Sequence, residues 1–273
     1  MIGSLAQIVA LVTYGNDFLK NGKLTVDFYP GNSTFQFCNR VDFKEIVQTP
    51  FSTNIQETPV ADDPLNWLHK IKADGCNRLR LFFQHSQQNE GKTKDYKLAG
   101  MVGGGGYWYI EAVYTSYSDL WYNYWKGTQP DDPDQKVWSV TYGLTHKHQP
   151  IIDFQVDCVT VRKKLQRTLT DIANFAFRHD LEYWGKWYDN AWQILDSQNP
   201  EQYYYHKDLI PANYALAARR ILFAAGTAWA FGGMGTWNDL SFPNKEENDI
   251  YEKLSERLYT EFNEAIITAI NSY

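Results

Sequence analysis

Two runs of aromatic residues, separated by a short polar stretch, constrain the fold of this chain more than any other feature. The first run covers residues 107–114 and the second covers residues 120–126. Aromatic side chains are enriched in strands, and the polar residues from Ser116 to Asp119 are typical of a turn. We therefore predict an antiparallel hairpin in which two aromatic strands lie side by side.

The length of the turn decides which rings share a face of this hairpin, because successive side chains of a strand point to opposite faces. A four-residue turn over 115–118 defines two sets, which a one-residue slip would recombine. The set expected to face the core is Trp108, Ile110, Ala112, Trp121, Asn123 and Trp125. The set expected on the opposite face, where we predict ligand binding, is Tyr107, Tyr109, Glu111, Tyr122 and Tyr124.

The rest of the chain divides into a strand-rich half and a helix-rich half. Short β-rich runs at 24–29, 34–39, 78–85, 96–102 and 136–145 are joined by turn residues, and 151–156 is one further candidate strand. Apolar residues recur at helical spacing near 5–20, near 64–74 and throughout 157–273. Strands followed by helices indicate the α+β class. We predict a single compact α+β domain over 1–273, in which an N-terminal-half antiparallel β-meander sheet (1–156) packs against a C-terminal-half layer of three to five α-helices (157–273).

The charge and the cysteine content exclude several classes of partner. The chain has 26 basic and 32 acidic residues, a net charge of −6, and neither half carries the excess of cations that a nucleic-acid binder needs. The apolar stretch Leu5–Val12 is interrupted by Gln7 and is too short to cross a bilayer. Three cysteines without C-x-x-C spacing are typical of a reducing compartment. We expect a cytoplasmic protein that binds neither nucleic acid nor a membrane.

The remaining motifs give weak support for a cofactor or a metal ion. Gly91-Lys92-Thr93 is similar to the end of a P-loop, but the glycine required five residues earlier is Ser86. The four glycines at 103–106 predict a hairpin turn or a flap beside a pocket. His146 and His148 are the best metal candidates, since side chains two apart on a strand share a face, although exposed polar histidines are the commoner outcome. We predict no cofactor and no bound metal.

Three classes of function stay open. The first, which we favour, is a non-enzymatic binding protein that uses the tyrosine-rich face and the loop 47–62, a candidate lid or strap, to hold a ligand, a protein partner or a second copy of itself. The second is an enzyme in which Glu111 converges with His146 and His148. The third is an acidic protein whose last helix neutralises a basic partner such as a toxin or a nuclease. Strand alternation favours a solvent-facing Glu111 over a buried acid.

Overall fold

The computed structural model describes residues 1–24, 26–48, 55–86, 93–101, 103–232 and 234–273. This part of the chain forms six strands and seven α-helices. In chain order they are α1 (Gly3–Asn21), β1 (Cys38–Gln48), β2 (Ile55–Ala61), α2 (Pro64–Ala73), β3 (Arg78–Gln84), α3 (Asp95–Leu98), β4 (Tyr107–Val113), β5 (Ser118–Gly127), β6 (Trp138–Gln149), α4 (Cys158–Arg178), α5 (Glu182–Ile194), α6 (Leu216–Thr227) and α7 (Lys245–Asn271).

The strands form one mixed sheet in the order β2-β1-β6-β5-β4-β3. All neighbours are antiparallel except β1 and β6, which are parallel. The α+β class is therefore confirmed, but the prediction of a purely antiparallel meander is wrong. Strands β3, β4, β5 and β6 do follow one another as a meander in space. The sheet is mixed because β6, the last strand of this meander, pairs in parallel with β1. These two strands come from distant parts of the chain.

The helices do not follow the strands in the predicted order. Three of the seven lie in the N-terminal half, α1 before the first strand and α2 and α3 between strands, and four lie after residue 157. The predicted helices near 5–20 and 64–74 correspond to α1 and α2. The third helix of the N-terminal half, α3, was not predicted, and it occupies part of the stretch 96–102 that was predicted to be a strand. Its Asp95 carboxylate is buried and accepts hydrogen bonds from the backbone of Ser86 and the ring of His85.

Other predicted strands are also corrected. The expected hairpin of 24–29 and 34–39 is replaced by irregular chain and a short 3-10 helix, Ser33–Phe35, whose first turn is capped by the Asn32 side chain. Residues 151–156 form no strand. The loop predicted over 47–62 consists largely of strand, since β1 extends to Gln48 and β2 covers Ile55–Ala61. Residues 49–54 of that loop lie outside the described residues, as do Gly91 and Lys92 of the P-loop-like motif.

One side of the sheet is covered by α1 and α2. Helix α1 is buried on nearly all sides from Leu5 to Phe18, as expected for a helix that is apolar around its whole circumference. Its Gln7 accepts a hydrogen bond from the hydroxyl of Tyr142 on β6 at 2.9 Å. From α2, the Trp67 ring stacks on Phe43 of β1 with centroids 4.4 Å apart. These contacts define the covered face of the sheet.

The free edge of β3 is closed by two asparagine side chains. Asn16 of α1 accepts from the backbone N–H of Leu79 at 2.7 Å and donates to its carbonyl at 2.8 Å. Asn271 of α7 does the same for Leu81, at 2.8 and 3.0 Å. Each side-chain amide thus makes the two backbone hydrogen bonds that a neighbouring strand would otherwise make with that residue of β3. An edge strand with unpaired backbone groups would otherwise be a template for aggregation.

The four glycines before β4 form a packed turn, so the flap interpretation is not supported. A Cβ atom on Gly104 would lie 2.2 Å from the carbonyl oxygen of Leu98 in α3. Gly105, with φ of +78°, accepts a hydrogen bond at its carbonyl from the hydroxyl of Tyr259 on α7. Glycine is required here by close backbone approach and by left-handed backbone conformation.

Candidate binding face

The hairpin of β4 and β5 places its side chains on the predicted faces, although its register differs. Tyr109 pairs with Tyr122, and Ile110 pairs with Trp121. The turn therefore covers residues 114–117, where the backbone N–H of Tyr114 donates to the carbonyl of Tyr117. This register is shifted by two residues from the prediction. A shift of two preserves the division into faces, whereas a shift of one would reverse it.

Four tyrosines of this hairpin lie together on the face opposite to α1 and α2. We call Tyr107, Tyr109, Tyr122 and Tyr124 the tyrosine face. The ring centroid of Tyr122 lies 6.0 Å from that of Tyr107, 5.5 Å from that of Tyr109 and 5.1 Å from that of Tyr124. Tyr107 is 38% exposed and Tyr124 is 44% exposed, while Tyr122 is half-buried and Tyr109 is buried. Within the described chain, the ring contacts of Tyr107, Tyr122 and Tyr124 involve no residue of a helix.

Three phenol groups of the tyrosine face, those of Tyr109, Tyr122 and Tyr124, have pKa values raised above the ordinary value and remain protonated at neutral pH. Burial, followed by the neighbouring phenols, raises the pKa of Tyr109 and of Tyr122 above the ordinary value of 10.0. Burial, followed by the carboxylate of Glu57, raises the pKa of Tyr124 in the same direction. A protonated phenol can donate a hydrogen bond as well as accept one. The face therefore combines apolar rings with hydroxyl donors.

The position of Tyr124 depends on a glycine that the sequence analysis did not single out. A Cβ atom on Gly143 of β6 would lie 2.9 Å from the ring of Tyr124 and 2.2 Å from the side chain of Ile46 on β1. The absence of a side chain at Gly143 lets both neighbours pack over the strand. A glycine inside a strand is a sequence signal for such close approach.

Glu111 lies on the same face as the tyrosines but is neither exposed nor free. It is 1% exposed, and its two carboxylate oxygens accept hydrogen bonds from Nε and a terminal nitrogen of Arg80, both at 2.8 Å. The preferred prediction of a solvent-facing Glu111 is therefore wrong. The bidentate pair occupies both carboxylate oxygens, so Glu111 has no unoccupied oxygen for a ligand.

An irregular segment covers the part of this face that holds the ion pair. Residues 150–157 connect β6 to α4, and we call them the strap. The ring of Phe154 lies 4.9 Å from the guanidinium carbon of Arg80. A cation over an aromatic face is a favourable contact, particularly when it is shielded from water. The chain thus does contain a crossing segment at 150–157, whereas the described residues of the predicted segment 47–62 belong mostly to β1 and β2.

The two histidines of the enzyme hypothesis do not meet Glu111. The Glu111 position pairs with Leu120, which in turn pairs with His146, so two strand spacings of about 10 Å in total separate the two backbones. The His146 ring packs against Tyr109, whereas the His148 ring packs against Tyr117. Among the residues that the structure describes, no three His, Cys, Asp or Glu side chains are arranged to hold a metal ion.

The acidic residues of α7 are largely neutralised by cations of the same chain. Of the seven acids from Glu246 to Glu264, four form ion pairs with lysines, and Glu247 is hydrogen-bonded to the ring of His179 at 2.8 Å. The lysine pairs are Asp249 with Lys245, Glu252 with Lys97, Glu256 with Lys94 and Glu264 with Lys164. This pairing reduces the negative field that the third hypothesis requires of the last helix.

Two polar clusters outside the hairpin join segments that are far apart in sequence. The hydroxyl of Ser33 contacts both the Asp208 carboxylate and Nδ1 of His206, the latter at 2.8 Å. Burial lowers the pKa of His206 below its ordinary value of 6.5. Asp208 also accepts from the backbone N–H of Ser33 at 2.7 Å, so the cluster joins two loops. The sequence contains no local signal for either this cluster or the His85–Asp95 contact.

The three cysteines are free thiols, and burial raises the pKa of each of them. For Cys76 the pKa is raised to about 12. A thiol that stays protonated is a poor nucleophile and a poor metal ligand.

Comparison with family models, with curated proteins and with solved structures finds no match for this chain. No helix in the described ranges combines the length and the apolar character needed to span a bilayer.

Proposed function

We propose that this protein is a non-enzymatic binding protein and that the tyrosine face contacts its partner. The observation that carries the proposal is the exposure of Tyr107 and Tyr124 on a sheet face where, among the residues that the structure describes, their ring contacts are with other sheet residues. Tyrosine is enriched at protein interfaces because it offers a large apolar body with a polar tip and few rotatable bonds. The core of the protein lies on the other side of the sheet, so these exposed rings are not needed to fill it.

The geometry favours binding over catalysis at this face. Glu111 is engaged by Arg80, and the backbones of Glu111 and His146 are about 10 Å apart. Within the described chain the Glu111 carboxylate is held by Arg80 and the His146 ring packs on Tyr109, so no hydrogen-bonded carboxylate–imidazole pair is observed at this face. The tyrosine face instead offers rings and hydroxyl groups close together, which suits recognition.

Selection from a random peptide library tests the proposal. The full chain is immobilised, and peptides that also bind a Tyr107→Ser, Tyr124→Ser double variant are removed. Because both side chains are partly exposed, the double variant is expected to keep its thermal stability. We expect peptides whose affinity falls at least about tenfold on the double variant, since truncating an aromatic anchor removes a large share of the binding energy.

The matched control is Tyr203→Ser, which removes a tyrosine that is 54% exposed and lies outside the sheet. It should leave the affinity of the selected peptides unchanged. A selection that yields no peptide dependent on Tyr107 and Tyr124 would contradict the proposal. If the chain without substitutions associates with itself instead, light scattering will show a dimer, and the double variant will be a monomer.

A further inference from the structure

A groove runs along the surface between helices α4 and α7, outside the tyrosine face. Side chains of α4 and of His179, which follows it, contact α7 at three points. The contacts are Lys164 with Glu264, Asp171 with Arg257 and His179 with Glu247. Between the second and the third of these contacts the two helices leave an open cavity of about 690 Å³. Small-molecule sites commonly have volumes of about 300–1,000 Å³, so the groove is large enough to hold such a ligand.

The floor of this groove is apolar. It is lined by Phe177 of α4 and by Ile250 and Leu254 of α7, which are partly buried, whereas the polar lining residues are more exposed. A Cβ atom on Gly185 of α5 would lie 2.4 Å from the Phe177 ring, so this ring rests directly on the backbone of α5. The three side chains therefore form an apolar strip along the groove that water still reaches.

The two ends of the groove differ in charge. At one end, Asp171 of α4 and Arg257 of α7 form an ion pair across the groove, with nitrogen and oxygen 2.5 Å apart. At the other end, the Arg178 side chain is exposed and makes neither an ion pair nor a hydrogen bond within the described chain. The groove therefore has an apolar floor and, at one end, a positive charge without a partner.

The charge of Arg178 favours a carboxylate on the ligand. A guanidinium binds a carboxylate through two parallel hydrogen bonds, a geometry that neither a hydroxyl nor an amine can match. The acids at the start of α7 are already engaged elsewhere. The Glu247 carboxylate accepts from the His179 ring at 2.8 Å, and Asp249 is paired with Lys245 at 2.6 Å. Arg178 is thus left free for a ligand.

The shape of the groove favours a short, unbranched ligand. Asp171 and Arg178 are seven residues apart on α4, which is about 10 Å along the helix axis. A longer occupant, such as a helix of a partner protein, would have to break the ion pair of Asp171 with Arg257 to lie along the groove. A flexible alkyl chain of medium length can instead follow the apolar strip and end before that ion pair.

We propose that the groove between α4 and α7 binds a medium-chain fatty acid. The carboxylate of the ligand pairs with the Arg178 guanidinium, and its alkyl chain lies over Phe177, Ile250 and Leu254. Binding removes apolar surface of the ligand and of the floor from water, which supplies the rest of the affinity. The site shares no residue with the tyrosine face, so this inference goes beyond the proposed function and does not depend on it.

Isothermal titration calorimetry of the full chain tests this proposal with octanoate as the probe. Three comparison ligands each change one property of octanoate. Octanol lacks the charge, octylamine carries the opposite charge, and butyrate keeps the charge but has a shorter chain. We expect octanoate to bind at least about tenfold more tightly than each of them, because it alone satisfies both the guanidinium and the apolar floor.

Two substitutions separate the contribution of the charge from that of the floor. Arg178→Gln should weaken octanoate about tenfold and leave octanol unchanged, since it removes only the charge. Leu254→Asn should weaken octanoate and octanol alike, by about fivefold or more. The matched control is Arg167→Gln, because Arg167 is also an exposed arginine of α4 without an ion pair in the described chain but does not line the groove. This control should bind octanoate unchanged.

The results that would overturn the inference are distinct from those that concern the tyrosine face. Absence of octanoate binding, equal binding of octanoate and octanol, or octanoate binding that Arg178→Gln leaves unchanged would each overturn it. The double variant Tyr107→Ser, Tyr124→Ser should bind octanoate as tightly as the chain without substitutions. If the double variant loses octanoate binding, the ligand occupies the tyrosine face and the assignment to the groove is wrong.

Discussion

Replacing Glu111 by glutamine is expected to lower the free energy of unfolding by about 3–5 kcal/mol. The substitution keeps the size of the side chain but removes the charge that compensates Arg80. Arg80 is buried, and its guanidinium lies between Glu111 and the ring of Phe154. A buried charge without its partner is strongly destabilising, because the cost of removing it from water is no longer offset. Urea unfolding of the full chain, followed by circular dichroism, measures the effect.

The matched control is an exposed ion pair elsewhere in the chain. Lys186 and Glu182 of α5 are 3.0 Å apart with both side chains largely exposed. Lys186→Ala should change the free energy of unfolding by no more than about 0.5 kcal/mol. A double variant, Arg80→Met with Glu111→Leu, should recover most of the loss, since an apolar pair leaves no buried charge. A loss for Glu111→Gln as small as that of the control would contradict the buried ion pair.

The second large effect is expected from Asn271→Leu, which removes the side chain that closes the β3 edge. The backbone N–H and carbonyl of Leu81 would lose their partners while staying buried. Each unsatisfied group costs about 1–3 kcal/mol, so for the two groups we expect a loss of about 2–6 kcal/mol. The unpaired edge should also promote self-association, which size-exclusion chromatography would detect as higher oligomers.

A control for this prediction lies two turns earlier on the same helix. Asn263 is buried on α7, and among the described residues its side-chain amide makes no hydrogen bond to a strand. Asn263→Leu makes the same change of side chain without breaking a bond to a strand, so its effect should be small. If Asn271→Leu and Asn263→Leu are equally stable, the edge-closing role of Asn271 is wrong.

The division of the aromatic hairpin into two faces could be predicted from the sequence because it depends on parity alone. Any turn that changes the pairing by an even number keeps Trp108 with Trp121 and Tyr109 with Tyr122. The turn itself begins one residue earlier than predicted, which shifts the strand pairing by two residues, because the polar residues 116–119 favour a later turn. The structure instead turns at 114–117, where the rings of Tyr114 and Tyr117 stack with centroids 4.7 Å apart.

The parallel pairing of β1 with β6 could not be predicted, since about a hundred residues separate the two strands. Strand β2 was missed for a different reason. It is an edge strand with mostly exposed side chains and an internal proline, so neither alternation nor apolar content indicates a strand. Helix α3 was missed because it is a single turn held by contacts of Asp95 with distant backbone.

The ion pair between Glu111 and Arg80 could not be predicted from the sequence. The position of an acid in an aromatic strand indicated something unusual, but its partner is Arg80 on β3, and no local pattern joins the two. The strap was also unexpected, because residues 151–156 within it were a candidate strand. The ion pair and the position of the strap both depend on how separate segments pack across the sheet. No local sequence pattern indicates that packing.

Hydroxyl-radical footprinting of the full chain at a concentration where it is monomeric tests most directly whether the tyrosine face is open. The account predicts that Tyr107 and Tyr124 are oxidised at rates similar to that of Tyr203, which is exposed and far from the sheet. Trp121, on the covered face and 2% exposed, should be protected despite the higher reactivity of its indole. If Tyr107 and Tyr124 are as protected as Trp121 in the monomer, both faces of the hairpin are covered and the binding role is contradicted.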